Sequence, residues 1–523
     1  MRSVRRTAKT RRTVPFTLPA PVGGLNGRDG IADMPASDAF ILDNAFPANT
    51  TVDQRKGYAP YATGLGGPVE SVEAYVGGAD THLLACAAGS LYDITSGGIV
   101  GAPIKSGLIS SILNTSMFSN AGDQFLICVT GADTPFSYKA SGATNLAITG
   151  VTGTPADFID VHTFKGRLYF VQKRALGFYY LAPGAIQGAA SYFDLSQIAK
   201  KGGSVVAVAS FSQQDSGTGP QDYLVFATSE GEYIVYGGID PSNAATWSLV
   251  GRYYSSAPIG RHGKFNFRSD LYFITDEGLI AFSQIREQGE QGDSTKYLSS
   301  KLGRYLAELT THKATQGWQA VLHPPTGMLI LNAPTTQLSS GAYVQFAMNT
   351  DSNAWCRFTG MNALCWNSYS DRLFFGTYDG RVMRADYGSL DDGKPINIDA
   401  RQAYNYFDDG KGMGAFDKHF HFATFVIETD GSPPVSAELN VNFENTPPQY
   451  EGTLSPSGGS YWDIDTWDNA VWADEAAMQT FTVPFGKLGY AASIWLRVRA
   501  AGTTFRWYAT RVFLEKSDGV ILP

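Results

Sequence analysis

Charge is scarce in this chain. Asp, Glu, Lys and Arg make up 17% of its 523 residues, with 40 basic against 48 acidic side chains and a net charge of −8. No global basic field therefore draws it to nucleic acid. Histidines number seven and cysteines four (Cys86, Cys128, Cys356 and Cys365), with no HExxH pair and no zinc-type spacing. The nearest approach to a ligand pair, His419-Phe420-His421, lacks a third ligand, so no metal or other cofactor is expected. Two of the cysteines lie inside apolar runs, where a thiol acts as a small hydrophobe, and all four read as reduced core residues. Neither a GxSxG elbow nor a GxxxxGK[ST] phosphate loop occurs. No stretch approaches the roughly 20 apolar residues of a membrane helix. The basic N-terminus has no apolar stretch of the secretory kind, so the protein reads as cytoplasmic when made.

Turn formers and aromatics are abundant: 57 Gly, 25 Pro, 31 Phe, 27 Tyr and 9 Trp. That mixture suits many short strands better than helices. Seven strand-like runs each carry a leucine, at Leu83, Leu126, Leu168, Leu224, Leu271, Leu329 and Leu373. Successive leucines lie 43, 42, 56, 47, 58 and 44 residues apart. A four-stranded propeller blade takes roughly 40–50 residues, and longer steps accommodate loop insertions. Acidic-Gly turns follow several runs, as in Asp276-Glu277-Gly278 and Tyr378-Asp379-Gly380, and supply the positive φ of a tight hairpin. The spacing predicts a mainly β protein built on a β-propeller of six or seven blades; an ordinary array of large β-sandwiches is the alternative.

Four regions follow from the composition. Residues 1–14 hold Arg2, Arg5, Arg6, Lys9, Arg11 and Arg12 with no acid, which reads as a solvated, disordered tail rather than a phosphate-binding arm. Residues 15–66 are polar and punctuated by Pro15, Pro19, Pro21, Pro35, Pro47 and Pro60, and read as an extended arm lying on another surface; the chain's own domains could serve, but the Pro spacing and polar character suit a neighbouring subunit or an adaptor better. Residues 67–399 hold the propeller. Within them Ser294 to Leu309 has the pattern of a helix capped by Ser294. Residues 400–523 show longer alternating strands and read as a C-terminal β-sandwich-like domain.

Propellers include glycosidases, whose chemistry runs on paired carboxylates. The acidic-Gly turns lack the Ser-x-Asp-x-Gly-x-Thr-Trp spacing of a sialidase box. The stretch from Tyr461 to Trp472 mixes Asp463, Asp465 and Asp468 with Trp462, Trp467 and Trp472. It lacks the glycine and terminal Glu of a calcium loop. Its tryptophans fit a subunit contact better than a sugar site, since Trp is enriched at protein interfaces.

Several short motifs, in order along the chain, resemble a known family. They are Pro19-Ala20-Pro21-Val22-Gly23-Gly24-Leu25-Asn26-Gly27-Arg28-Asp29, Leu42-Asp43-Asn44-Ala45-Phe46-Pro47 and Gln54-Arg55-Lys56-Gly57-Tyr58. Asn349 to Phe358, Phe375 to Val382 and Asp391-Asp392-Gly393-Lys394-Pro395-Ile396 follow. Together they are similar to the tail nozzle proteins of short-tailed bacteriophages, also called tail hub, tail tubular protein B or packaged-DNA stabilisation proteins. The resemblance implies a structural virion protein, made in the host cytoplasm, in six copies around one axis. Its partners would be tail adaptor and portal-proximal proteins, with double-stranded DNA passing through without sequence recognition and no membrane insertion. No enzyme activity is expected. Arg28, Asp29, Asp43, Asn44, Arg55 and Tyr58 in the arm, with Trp462, Trp467 and Trp472, are the expected assembly contacts, although the arm residues serve equally well as caps of local turns. On that footing, Arg55→Ala or Tyr58→Ala leaves the isolated fold intact. A receptor-binding or glycan-degrading tail propeller is the rival reading.

Overall fold

A computed structural model describes residues 13–78, 80–215, 219–288, 293–312, 316–335, 343–408, 410, 412–453 and 477–520. The chain divides into two compact units, and the division is not sequential. One comprises Tyr58–Phe346 and Gly360–Asp386; the other comprises Met1–Gly57, Ala347–Thr359 and Tyr387–Pro523.

The first unit is a β-propeller of seven small, mainly antiparallel blades. Blade one is formed by Val69–Gly77, Asp80–Ala87 and Ser90–Asp93; blade two by Asn114–Ser119, Gln124–Val129, Phe136–Lys139 and Gly142–Asn145. Blade three holds Phe158–Phe164, Arg167–Gln172, Gly177–Tyr180 and Ser191–Asp194; blade four holds Val205–Asp215, Gly219–Thr228, Glu232–Gly238 and Trp247–Tyr254. Blade five is Lys264–Phe267, Asp270–Thr275 and Gly278–Ala281, and blade six is built on Gln319–His323, Met328–Pro334 and the strand that starts at Tyr343. Blade seven takes Ala363–Tyr369, Arg372–Thr377 and Val382–Ala385, then borrows Tyr58–Thr63 from far upstream as its next strand. The first strand of each blade lies against the next blade, and that of blade seven against that of blade one. The circle is closed.

All seven leucines fall on the second strand of a blade, each at most 2% exposed. Alternation explains why these strands read as continuous apolar runs: both faces of a middle strand meet a neighbouring blade. In blade two, Leu126 and Cys128 pack with Leu84 and Cys86 of blade one, while Ile127 and Val129 pack with Phe158 and Phe170 of blade three. Between blades three and four Phe178 stacks on Phe226 at 4.2 Å, beside Trp247. All four cysteines are buried and free, and burial pushes the Cys86 thiol up to about 12.

The helix expected over 294–309 is shorter. The α-helix is Gly303–Leu309, preceded by single 3₁₀ turns at Ser294–Lys296 and Ser300–Leu302. Between those turns the Leu298 N–H bonds to the Leu279 carbonyl, and Ser299 Oγ accepts from the Leu279 N–H. Being held to blade five keeps this stretch from continuing as helix. A second helix, Phe282–Gln288, follows blade five directly.

The second unit consists of two sheets. One orders Ala477–Gly489, Phe416–Thr429, Phe505–Val520, Val52–Gln54 and Ala45–Pro47, with Val14–Pro19 also paired to Phe505–Val520. The other runs Trp355–Phe358, Asp38–Asp43, Ile396–Gln402, Ala492–Ala500, Pro434–Val441 and Tyr450–Thr453. Phe420, Phe425, Ile427, Val512 and Leu514 of the first sheet are buried, as are Ile398, Ala400, Leu439, Leu496 and Val498 of the second. This is the expected sandwich, with different membership. The segment read as an arm on a neighbouring subunit supplies strands to both sheets, and its last part, Tyr58–Thr63, belongs to the propeller. Residues 347–359 and 387–399, read as propeller, belong to the sandwich. Backbone pairing satisfies the arm within this chain, and Pro15 and Pro19 are tolerated because their strand pairs on one side only among the described residues. Of the basic tail at 1–14, residues 1–12 lie outside the described residues, and Val14 already belongs to the strand Val14–Pro19.

Candidate functional site

Four of the six motifs that carry the family resemblance, scattered from residue 42 to residue 396, meet at one place in the sandwich unit. Asn44 takes φ 56°, a left-handed conformation that Asn adopts more readily than most residues. That turn aims its carboxamide inward. Its Oδ1 accepts from Arg55 Nε (2.7 Å) and the Thr359 N–H (2.9 Å), and its Nδ2 donates to Thr359 Oγ1 (2.9 Å) and the Asn397 carbonyl (2.8 Å). Arg55 is 3% exposed. Its two terminal nitrogens grip the Asp391 carboxylate at 2.7 and 2.6 Å and also donate to the carbonyls of Lys56 and Thr359. With Nε on Asn44, the whole guanidinium fork is engaged.

Around this centre the other motifs interlock. Arg357 holds Asp43 in a two-point pair at 2.7 and 2.6 Å. Burial nevertheless pushes the Asp43 carboxyl above its ordinary value, with Arg357 opposing the shift. Asn349 Nδ2 donates to the Pro47 carbonyl at 3.0 Å. Gly57 must lack a side chain because a Cβ there would run into the Leu390 carbonyl oxygen.

Of the expected contact residues, Asp43, Asn44 and Arg55 are therefore brought together. Arg28 and Asp29 form a separate turn, in which Asn26 Oδ1 accepts from both of their N–H groups and Asn26 Nδ2 donates to Asp29 and Asp38. Tyr58 belongs to the propeller, where its hydroxyl donates to the Gly360 carbonyl and its ring meets Phe375 edge-on at 5.2 Å. Trp462, Trp467 and Trp472 lie outside the described residues. Arg357, Thr359 and Asp391 complete the network but were not among the expected residues; the motifs containing Arg357 and Asp391 were the available signal.

The propeller axis is the other place where polar groups gather, since the first strands of the blades face it. Each joint of the ring has a polar link. Thr115 donates to Glu73 between blades one and two, and Asn114 donates to Asp160 between two and three. His162 meets Ser210 between three and four, and Lys264 donates to the Val208 carbonyl between four and five. A β-bridge joins His262 to Gln319, Gln319 bonds the Trp366 backbone, and Asn367 donates to the Val72 carbonyl. Residues Arg261 to Lys264 also reach across the axis from blade five. His262 Nε2 contacts the Leu113 carbonyl at 2.8 Å, Asn114 donates to the Arg261 carbonyl, and Lys264 pairs with Asp160.

Titration in this belt is shifted by enclosure. Burial pushes Glu73 up to about 7 against the Thr115 hydrogen bond. Burial and then Lys264 hold His162 down to about 4, opposed by Asp160. Asp160 accepts from Lys264, Asn114 and the N–H groups of Val161 and Val208, so its lone pairs are engaged in holding blades. No group of three or more metal-ligating side chains occurs among the described residues, nor does a helix long and apolar enough to cross a membrane.

No family model matches the sequence, and no curated protein matches it. Solved structures that resemble it include BBS1N in complex with ARL6DN (11% identity, 63% of this chain and 97% of that one, TM-score 0.39). The computationally designed protein Ika8 has 9% identity over 62% of this chain and 99% of its own, with TM-score 0.35. An exo-β-1,3-galactanase from Phanerochaete chrysosporium has 9% identity over 77% and 96%, with TM-score 0.24. Likenesses this distant carry no functional argument.

Proposed function

We propose that this chain is a structural subunit of a short-tailed bacteriophage virion: a tail nozzle protein that forms a ring of six, retains packaged DNA and guides its ejection. The observation supporting this reading is the convergence of four of the six resemblance-bearing motifs on one buried network. Asp43, Asn44, Arg55, Arg357 and Asp391 use their hydrogen-bonding capacity on one another and on backbone groups, which is the pattern of residues kept for architecture. A wall-forming protein depends on architecture. Because Arg261 to Lys264 cross the propeller axis, the DNA path in this reading is the lumen of the assembled ring. Adaptor and portal-proximal proteins are the expected neighbours. Six copies at −8 would carry about 48 negative charges, which repel phosphates within a Debye length of roughly 8–10 Å.

A reconstruction of the virion tests the proposal. Copies surrounding the DNA channel support it, and a peripheral fibre away from that channel overturns it. The rival, a glycan-degrading propeller, has one feature in its favour, the enclosed Glu73 carboxyl, which burial pushes up to about 7. Turnover of a host surface glycan that disappears in Glu73→Gln would move the assignment to that rival.

A further inference from the structure

The strand Phe416–Thr429 of the first sandwich sheet carries a histidine pair that neither the buried network nor the propeller axis uses. His419 and Glu515 stand directly opposite each other on neighbouring antiparallel strands, so their side chains share a face. Phe420 and Leu514, the next residues toward the bulge on each strand, are buried, which turns that face outward. A β-bulge follows. Phe420 faces Leu514 and Phe422 faces Phe513, leaving His421 as an extra residue on this side of its strand. A bulge re-aims the side chain it carries. Here it brings the His421 ring to 4.5 Å from that of His419, centre to centre. His421 Nε2 lies 3.4 Å from Glu515 Oε2. That nitrogen is shut off from solvent and makes no hydrogen bond among the described residues.

We infer that His419, His421 and Glu515 bind a divalent transition-metal ion of the Zn²⁺ class. Two imidazoles and a carboxylate are a donor set that Zn²⁺ accepts. With bonds of about 2.1 Å, two ligands on one edge of a tetrahedron stand roughly 3.4 Å apart. That is the separation found between His421 and Glu515, and it is long for a hydrogen bond. An enclosed ring nitrogen without a hydrogen bond is also a group that an ion would satisfy. The local sequence offers no third ligand for this pair; strand register supplies it. No cage of three is ready-made among the described residues. His419 is exposed, and rotation of its side chain completes the set. The nearby cations are engaged elsewhere. Lys418 Nζ donates to the carbonyls of Phe416 and Tyr490, Lys487 pairs with Glu438, and Lys516 lies over the Phe416 ring. The site needs no virion and stands apart from the nozzle reading.

Zinc titration of the full-length chain, first stripped of metal with a chelator, tests it. Calorimetry is expected to show one Zn²⁺ per chain at the tightest step. Co²⁺ in its place is expected to give the visible absorption of a tetrahedral nitrogen–oxygen site, a readout that needs no variant. The four native cysteines are buried and do not compete. Removing both rings, in His419→Asn with His421→Asn, should weaken Zn²⁺ binding by more than about a hundredfold, and Glu515→Gln by about tenfold, since changes even around metal ligands cost roughly 10–100-fold. His82→Asn, at the propeller's own histidine–aspartate pair, is the control and should leave binding unchanged. Circular dichroism of each variant checks that the sheets are retained. Binding as tight in the double variant as in the wild type overturns the site. Unaltered affinity in Glu515→Gln overturns the carboxylate as third ligand. A wild-type chain that takes up no Zn²⁺ and gives no Co²⁺ absorption overturns the metal and leaves His421 and Glu515 as an ion pair.

Discussion

The propeller and the sandwich solve the same problem in opposite ways. In the propeller, consecutive strands pair with one another, apolar layers fill the gaps between blades, and a belt of polar groups surrounds the axis. In the sandwich, strands from residues 14 to 54 are threaded among strands that lie hundreds of positions later, and a buried ionic network holds the threads. Apolar layers tolerate substitution as long as volume is kept. A buried ion pair does not, because removing one partner strands the other. The two units should therefore fail differently.

Arg55→Ala is the most severe test of that contrast. It leaves the Asp391 carboxylate buried and unpaired, a loss of about 3–5 kcal/mol. Hydrogen exchange should accelerate in Asp38–Asp43 and Ile396–Gln402 while the blade-three strands stay protected. The sequence reading, with Arg55 as an assembly contact, expects an intact fold; its buried position reverses that expectation. Unchanged exchange in the sandwich would show that the network is dispensable.

Phe178→Ala should cost about 3–4 kcal/mol through the cavity left against Phe226, and should loosen blades three and four with the sandwich untouched. Loss of protection in both units together would mean that the two cannot be perturbed separately.

Glu73→Gln should act through pH. The folded carboxyl is raised to about 7, so the stability it contributes is fully present below about 4.5 and is lost as pH rises through 7. The variant escapes that loss. Urea midpoints should show it gaining on the wild type between pH 5 and pH 8, by roughly 2 kcal/mol after allowance for partial exposure. His162 works in the other direction. Its folded pKa is depressed to about 4, so the stability it contributes is present above 6.5 and is lost as pH falls through 4. With Glu73 gone, the acid side of the stability profile should steepen.

Tyr58→Phe should have the smallest effect, at most about 1 kcal/mol, because it removes one exposed hydrogen bond to the Gly360 carbonyl and keeps the ring on Phe375. A larger drop in thermal midpoint would give that hydroxyl a greater part in holding blade seven.

These contrasts also account for what could be read from the sequence. Leucines at blade spacing are visible because each blade repeats locally, and a middle strand must be apolar on both faces. The sandwich was visible as alternation, but its membership was not. Nothing in Asp38–Asp43 announces a partner at Ile396–Gln402, since strand pairing leaves no mark at a distance in a single sequence. The Arg55–Asp391 pair was hidden for the same reason, although both residues lay in motifs already noticed. Prolines at 15 and 19 suggested an unpaired arm, and the alternative, an edge position in a sheet, has the same signature. The late start of the expected helix, at Gly303, came from Ser299, whose hydroxyl serves the Leu279 backbone, a tertiary contact that overrides local periodicity.

The borrowed strand of blade seven also puts a clock on synthesis. Tyr58–Thr63 emerges early from the ribosome, but Val382–Ala385, the neighbour it needs, is made roughly 320 residues later. At about 5–20 residues per second, that edge waits on the order of 15–60 s with its hydrogen-bonding groups unpaired. Val14–Pro19 waits longer still, for Phe505–Val520. A nascent chain of this design depends on what shields two open edges during translation, and its yield in a cell should track chaperone supply more closely than the strength of the finished fold.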